Sequence, residues 1–105
     1  MEKVVVAGCR PKPGFEREIE KLVRAHHSTL VPKGLATSCV PMILRGIDGT
    51  LVEIYEITDR YTKDNTNNNQ YVMELWRLMD EACTYVPAGR LEDLQTLFSE
   101  MEVLS

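Results

Sequence analysis

Cysteine, histidine and basic charge are all scarce in this chain, and each scarcity removes a class of chemistry. The three cysteines, Cys9, Cys39 and Cys83, are odd in number and widely spaced, and no Cys-x-x-Cys pair occurs. Neither a disulfide framework nor a zinc pattern is therefore indicated, and reduced thiols in the cytoplasm are the simplest expectation. None of the three has a neighbouring histidine or basic cluster that would mark a nucleophile. The two histidines, His26 and His27, are adjacent. On a helix they point about 100° apart and cannot easily clasp one metal ion, so no metal is expected. No cofactor is expected either, because a Gly-rich phosphate loop, a Gly-x-Ser-x-Gly elbow and a dinucleotide-binding fingerprint are all missing. Residues 64–69 lack the acidic spacing of a calcium loop.

Twelve Lys and Arg stand against sixteen Asp and Glu, a net charge of −4, which gives no basic footprint for nucleic acid or an anionic membrane surface. No apolar run approaches the ~20 residues of a spanning helix. The run Val6-Ala7-Gly8-Cys9 looks superficially like a lipoprotein cleavage box. The apolar stretch before it is shorter than the ~7–15 residues a signal peptide needs, so export is not expected. With 44% hydrophobic and 27% charged residues over 105 positions, the composition is that of one globular domain able to bury a single core.

What is present is a strong pattern of alternating elements. Residues 3–9, rich in valine, read as a strand stopped by Pro11 and Pro13. Phe15, Ile19, Leu22, Val23, His26 and Leu30 then recur at helical spacing, and Pro32 and Gly34 close that helix. Residues 35–45 and 50–58 form two strand-like arms around Asp48 and Gly49, a pair that signals a hairpin because its turn needs residues tolerant of positive φ. Pro41 in the first arm cannot donate to a central ladder, so that arm should be an edge or carry a bulge. With a loop of two or four residues, Val40, Met42 and Leu44 share a face with Leu51, Glu53, Tyr55 and Ile57. Both faces are then largely apolar and something must cover the second one. The polar residues 59–69 read as loop or capping material. A second helix is expected over 70–85, with Val72, Leu75, Trp76, Met79 and Cys83 on one stripe. Residues 97–104 suit a final strand, although Phe98, Met101 and Leu104 also fit a helix face. The order β-α-β-β-α-β is the ferredoxin-like split βαβ arrangement of the α+β class, with a four-stranded antiparallel sheet in the order 4-1-3-2 and two helices on one face.

The entry Lys12-Pro13-Gly14, the segment Asp48-Gly49-Thr50-Leu51-Val52-Glu53-Ile54-Tyr55-Glu56, the pair Leu75-Trp76, the helix end Cys83-Thr84-Tyr85-Val86-Pro87 and the terminal Phe98-Ser99-Glu100 occur in an order that resembles the dimeric α+β barrel superfamily. Small proteins similar to antibiotic-biosynthesis monooxygenases are the nearest likeness. The resemblance implies a homodimer joined sheet to sheet, with a cavity in each subunit between sheet and helices or inside the joint barrel, and cofactor-independent oxidation of a small aromatic or phenolic substrate. It also has departures. Ile57 stands where related sequences often carry Trp. In the Ala-His-x-Asn-Pro element before the second helix, Asn67 takes the His position, Asn69 keeps the Asn and Gln70 replaces the Pro. Haem degradation is not implied, since the first strand offers only Lys3 and Cys9 as polar side chains.

Glu53 is the single ionisable group on an otherwise apolar strand face, where a poorly solvated carboxylate could accept a proton or orient a ligand. A structural pairing with a basic residue is its ordinary alternative. Glu53 and His26, on the inner stripe of the first helix, are the candidate catalytic residues. Tyr55, two residues along the same face, and Trp76 could line a pocket for a small apolar or aromatic ligand, or simply fill the core. Met42, on the face assigned to Glu53, and Asn67 complete the candidate ligand-binding set. A non-catalytic ligand-binding or structural dimer is the competing reading.

Overall fold

The computed structural model describes residues 3–104. Its architecture is α+β: a five-stranded antiparallel sheet in the order β4-β1-β3-β2-β5, with two long helices and one short one. The strands are β1 (Lys3–Pro11), β2 (Met42–Arg45), β3 (Leu51–Ile57), β4 (Cys83–Tyr85) and β5 (Glu102–Val103). The helices are α1 (Glu16–Leu30), α2 (Lys63–Asn67) and α3 (Gln70–Ala82).

Each long helix starts and stops for a local reason. Glu16 and Glu18 put negative charge in the first turn of α1, where free amide groups favour it. The chain leaves α1 through a 3-10 turn, Val31–Lys33, carrying Pro32, and ends in the left-handed region at Gly34 (φ 73°). Asn69 caps α3 by accepting from the backbone amides of Tyr71 and Val72. Ile19, Leu22, Val23 and Leu30 from α1, and Val72, Leu75, Met79 and Ala82 from α3, are buried. They meet Cys9, Ile43, Leu51 and Tyr55, which all point from one face of the sheet. Full burial of each of the Val, Leu, Ile and Met side chains among them stabilises the fold by about 1.5–3 kcal/mol.

Three expectations are corrected. The first concerns the hairpin register. Ile43 pairs with Glu53 and Arg45 with Leu51, so the loop is the five residues 46–50 rather than two or four. It is closed by Gly46 N–H to the Thr50 carbonyl (2.8 Å) and Gly49 N–H to the Gly46 carbonyl (3.0 Å), and within this loop only Gly49 (φ 87°) adopts positive φ. An odd loop reverses the faces of β2: Ile43 points to the helices with Glu53, while Met42 pairs with Ile54 and points away. The Asp48 carboxylate accepts from the Thr50 amide and from Arg10 (2.7 Å), and these bonds hold it below the usual carboxylate range.

The second correction concerns the strand beside β1. That place is filled by β4, which follows α3 without a loop, and not by residues 97–104. Residues 83–85 were expected to continue the helix, but Lys12 N–H bonds the Ala82 carbonyl and β4 pairs with Cys9, Arg10 and Pro11. From 97–104 only β5 forms, on the far side of β2, where Leu44 pairs with Val103. The first four places therefore follow the expected 4-1-3-2 order, and a fifth strand lies beyond β2. Pro41 sits just before β2, outside its ladder.

The third correction is covalent. Cys9 and Cys83, 74 positions apart, are joined as a disulfide between β1 and β4, and Cys39 is the free, exposed cysteine. No helix among the described residues is long and apolar enough to cross a membrane.

The face of the sheet opposite the helices is covered at one end only. Gly8 lies on that side with Val52, and a Cβ there would fall 2.0 Å from the Val86 carbonyl oxygen, so the chain after β4 crosses over it. Further along, Val4 (58% exposed), Val6 and Met42 are open.

Candidate functional site

Alternation along β3 places Glu53 and Tyr55 toward the helices, with small Ala7 across from Glu53 and Val5 across from Tyr55. Ala7 leaves room that a larger residue would fill. The result is a cavity of about 470 Å³ between sheet and helices. Its wall is mainly apolar, formed by Val5, Ala7, Met73, Met79 and Trp76, with Tyr61, Arg77, Asp80 and Tyr85 also lining it. This is a volume suited to a compact organic molecule.

At its floor three side chains form a chain of hydrogen bonds. Trp76 Nε1 donates to His26 Nε2 (2.8 Å), and His26 Nδ1 lies 2.8 Å from Glu53 Oε1. His26 and Glu53 are 4% and 3% exposed, so neither bond competes with bulk water. An indole N–H is only a donor, so His26 Nε2 must be bare and accept. A neutral imidazole then carries its proton on Nδ1 and donates it to the Glu53 carboxylate. Among the described residues, Glu53 Oε2 is the one buried side-chain nitrogen or oxygen without a hydrogen-bond partner. Leaving such an acceptor unmatched costs about 1–3 kcal/mol, more when it is charged.

Tyr55 is 3% exposed; its hydroxyl and that of Tyr61 are 2.8 Å apart, and the Tyr55 ring meets His26 edge-on at 5.2 Å between centroids. Burial, followed by the Tyr61 hydrogen bond and the nearby charges of Tyr61 and Glu53, pushes the Tyr55 phenol far up, so it stays protonated. Tyr85, at the rim, is also raised, by burial first and then by Asp80.

No family model, curated protein or solved structure matches this chain.

The structure brings Glu53, His26, Tyr55 and Trp76 to one cavity and leaves two candidates outside it. Met42 is 48% exposed on the other sheet face, a consequence of the five-residue loop. Asn67 is exposed at the end of α2, away from the lining residues. Sequence reasoning missed Tyr61, which lies in the polar stretch read as loop; the only signal was a lone aromatic among polar neighbours. Tyr85 was hidden by the expectation that the helix continued to residue 85, whereas Met79 was read on the helix stripe without being named as a cavity residue. His27, by contrast, turns away and donates from Nε2 to the Thr37 carbonyl (2.7 Å), which ties α1 to the following loop. Among the described residues no group of three or more His, Cys, Asp or Glu side chains is placed to hold a metal ion.

Proposed function

We propose that this chain binds a compact aromatic or phenolic molecule whose hydroxyl donates to Glu53 Oε2, and that it is an oxidoreductase of the monooxygenase-like type. The observation that carries the reading is the unpartnered, 3% exposed carboxylate oxygen beside an apolar cavity. A ligand hydroxyl supplies the missing hydrogen bond, and the apolar wall takes the ring. Glu53 is then the proton acceptor. Removing a proton from the substrate raises its electron density and prepares it for dioxygen, the co-reactant implied by the likeness to cofactor-independent monooxygenases. In the simplest case an activated ring methylene and one O₂ give a ring carbonyl and one water: two C–H bonds break, carbon loses four electrons, and oxygen gains them.

The test is oxygen uptake by the purified protein across phenols, quinols and anthrones, together with calorimetric binding of the same compounds. Turnover that falls at least tenfold in Glu53→Gln supports the reading. Binding without uptake selects the non-catalytic reading, which is favoured by Asn67 standing where active relatives carry His. Absence of both removes the reading.

The ferredoxin-like arrangement and the dimeric α+β barrel belong to the same proposal. Val4, Val6 and Met42 are exposed on one face, with half-buried Ile54 between Val6 and Met42 in the register. A second copy packed there covers apolar surface that water otherwise meets. Light scattering that finds a stable monomer at micromolar concentration excludes the dimer. The Cys9–Cys83 bond weighs against the reducing cytoplasm expected from three unpaired thiols.

A further inference from the structure

We infer that Trp76 is a positioning residue that confines proton uptake in this site to one atom, Glu53 Oε2. The inference rests on the reading that Glu53 accepts a ligand's proton, and it adds where that proton is held and why.

The three linked side chains fix where each hydrogen sits. Trp76 Nε1 always carries hydrogen and can only donate. While it points at His26 Nε2 at 2.8 Å, that nitrogen cannot also carry a proton, because two N–H groups would face each other. The imidazolium form of His26 is thereby excluded, and so is the tautomer with hydrogen on Nε2. The hydrogen on Nδ1 is directed at Glu53 Oε1, 2.8 Å away, which engages one lone pair of that oxygen and makes it the weaker site for a further proton. A proton arriving from the cavity finds one acceptor atom in this set that no hydrogen bond already engages, Oε2, which is buried and unpartnered. Without the indole N–H, Nε2 becomes a second acceptor, and a proton taken by Glu53 can be passed on to give an imidazolium–carboxylate pair. Trp76 therefore does more than form apolar wall. It keeps His26 as a neutral donor that holds Glu53 in place and prevents it from serving as the final base. The three groups come from α3, α1 and β3, so the arrangement depends on the packing of both long helices on the sheet.

Nitrogen-15 NMR of the histidine rings tests this at neutral pH, with His27 as an internal standard because its Nε2 must carry hydrogen to reach the Thr37 carbonyl. His26 is expected with Nδ1 protonated and Nε2 bare, the opposite of His27. Trp76→Phe keeps an aromatic ring but removes the N–H, and should shift the His26 Nε2 resonance from the bare toward the protonated position. Glu53→Gln should leave the His26 tautomer unchanged, since Trp76 selects it and the glutamine oxygen can still accept from Nδ1. A wild-type His26 with hydrogen on Nε2, or a tautomer that changes in Glu53→Gln, overturns the proposal. So does a Trp76→Phe protein that is folded by its amide spectrum and retains the wild-type His26 signature. If Trp76→Phe does not fold, the wild-type and Glu53→Gln spectra decide alone. Failure of the binding reading is recognised separately, as a wild-type protein with the expected tautomer that binds no phenol by calorimetry.

Discussion

Replacing His26 with leucine tests the buried chain of hydrogen bonds as a stability element, and the sign of a second substitution makes the test sharp. Leucine fills much of the imidazole volume but offers no polar atom. Glu53 Oε1 then loses a charge-assisted bond of about 1.5–3 kcal/mol, and the Trp76 indole N–H loses its acceptor at about 1–3 kcal/mol. Burial of 95% or more for both His26 and Glu53 means that water does not make up the difference. The expected cost of His26→Leu is about 3–5 kcal/mol, a large part of an ordinary domain's stability of about 5–15 kcal/mol. In urea, with a slope of about 2 kcal/mol per molar, the midpoint should fall by about 2 M. Adding Glu53→Met to that background removes the stranded carboxylate, so the double variant should be more stable than His26→Leu alone by about 1.5–3 kcal/mol. The reasoning is refuted if His26→Leu costs less than about 1 kcal/mol, or if Glu53→Met lowers stability further in the His26→Leu protein.

Three other outcomes follow from features away from the cavity floor or beside it. Cys83→Ala opens a loop spanning 74 positions, for which chain entropy gives a loss of about 4 kcal/mol; equal urea midpoints for wild type and variant under oxidising conditions count against the bond. Tyr55 is protonated in the fold well beyond the ordinary phenol value of 10.0, so below that pH folded and unfolded chains bind its proton alike. Above it the unfolded phenol ionises first, and stability should decline by up to about 1.4 kcal/mol per pH unit, a slope that Tyr55→Phe should reduce in alkaline melts. Asn69→Ala removes the acceptor for two backbone amides of α3 and should cost about 1 kcal/mol, read as a lower melting temperature without loss of the His26 tautomer.

The parts of the fold legible in the sequence were those with long periodic patterns. The stripe from Ile19 to Leu30 gave α1, and that from Val72 to Met79 gave α3, because a helix buries one face over several turns. The pairing of residues 35–45 with 50–58 was visible through Asp48 and Gly49, yet the loop length was not. Five residues instead of four moved Met42 to the opposite face and brought Ile43 in. Strand β4 escaped because Cys83, Thr84 and Tyr85 continue a helical stripe; what ends α3 is the ladder they find beside Cys9, Arg10 and Pro11, a partner 74 positions away. The disulfide was hidden for the same reason. Glu53 stood out as a carboxylate among apolar neighbours, but its connection to His26 and Trp76 spans three elements, and no local pattern encodes it.

The direct join of α3 to β4 also fixes how the cavity wall is anchored. Trp76 and Tyr85 belong to one continuous piece of backbone with no intervening loop, and that piece is riveted to β1 at Cys83. Displacing this wall at its far end would require breaking the disulfide or the β1–β4 ladder. The opposite end of α3 has no covalent tie: there the Thr62 side chain caps α2, the Asn69 side chain caps α3, and Tyr61 and Met73 line the cavity. The cavity wall is thus cross-linked covalently to the sheet at one end and held only by capping hydrogen bonds at the other.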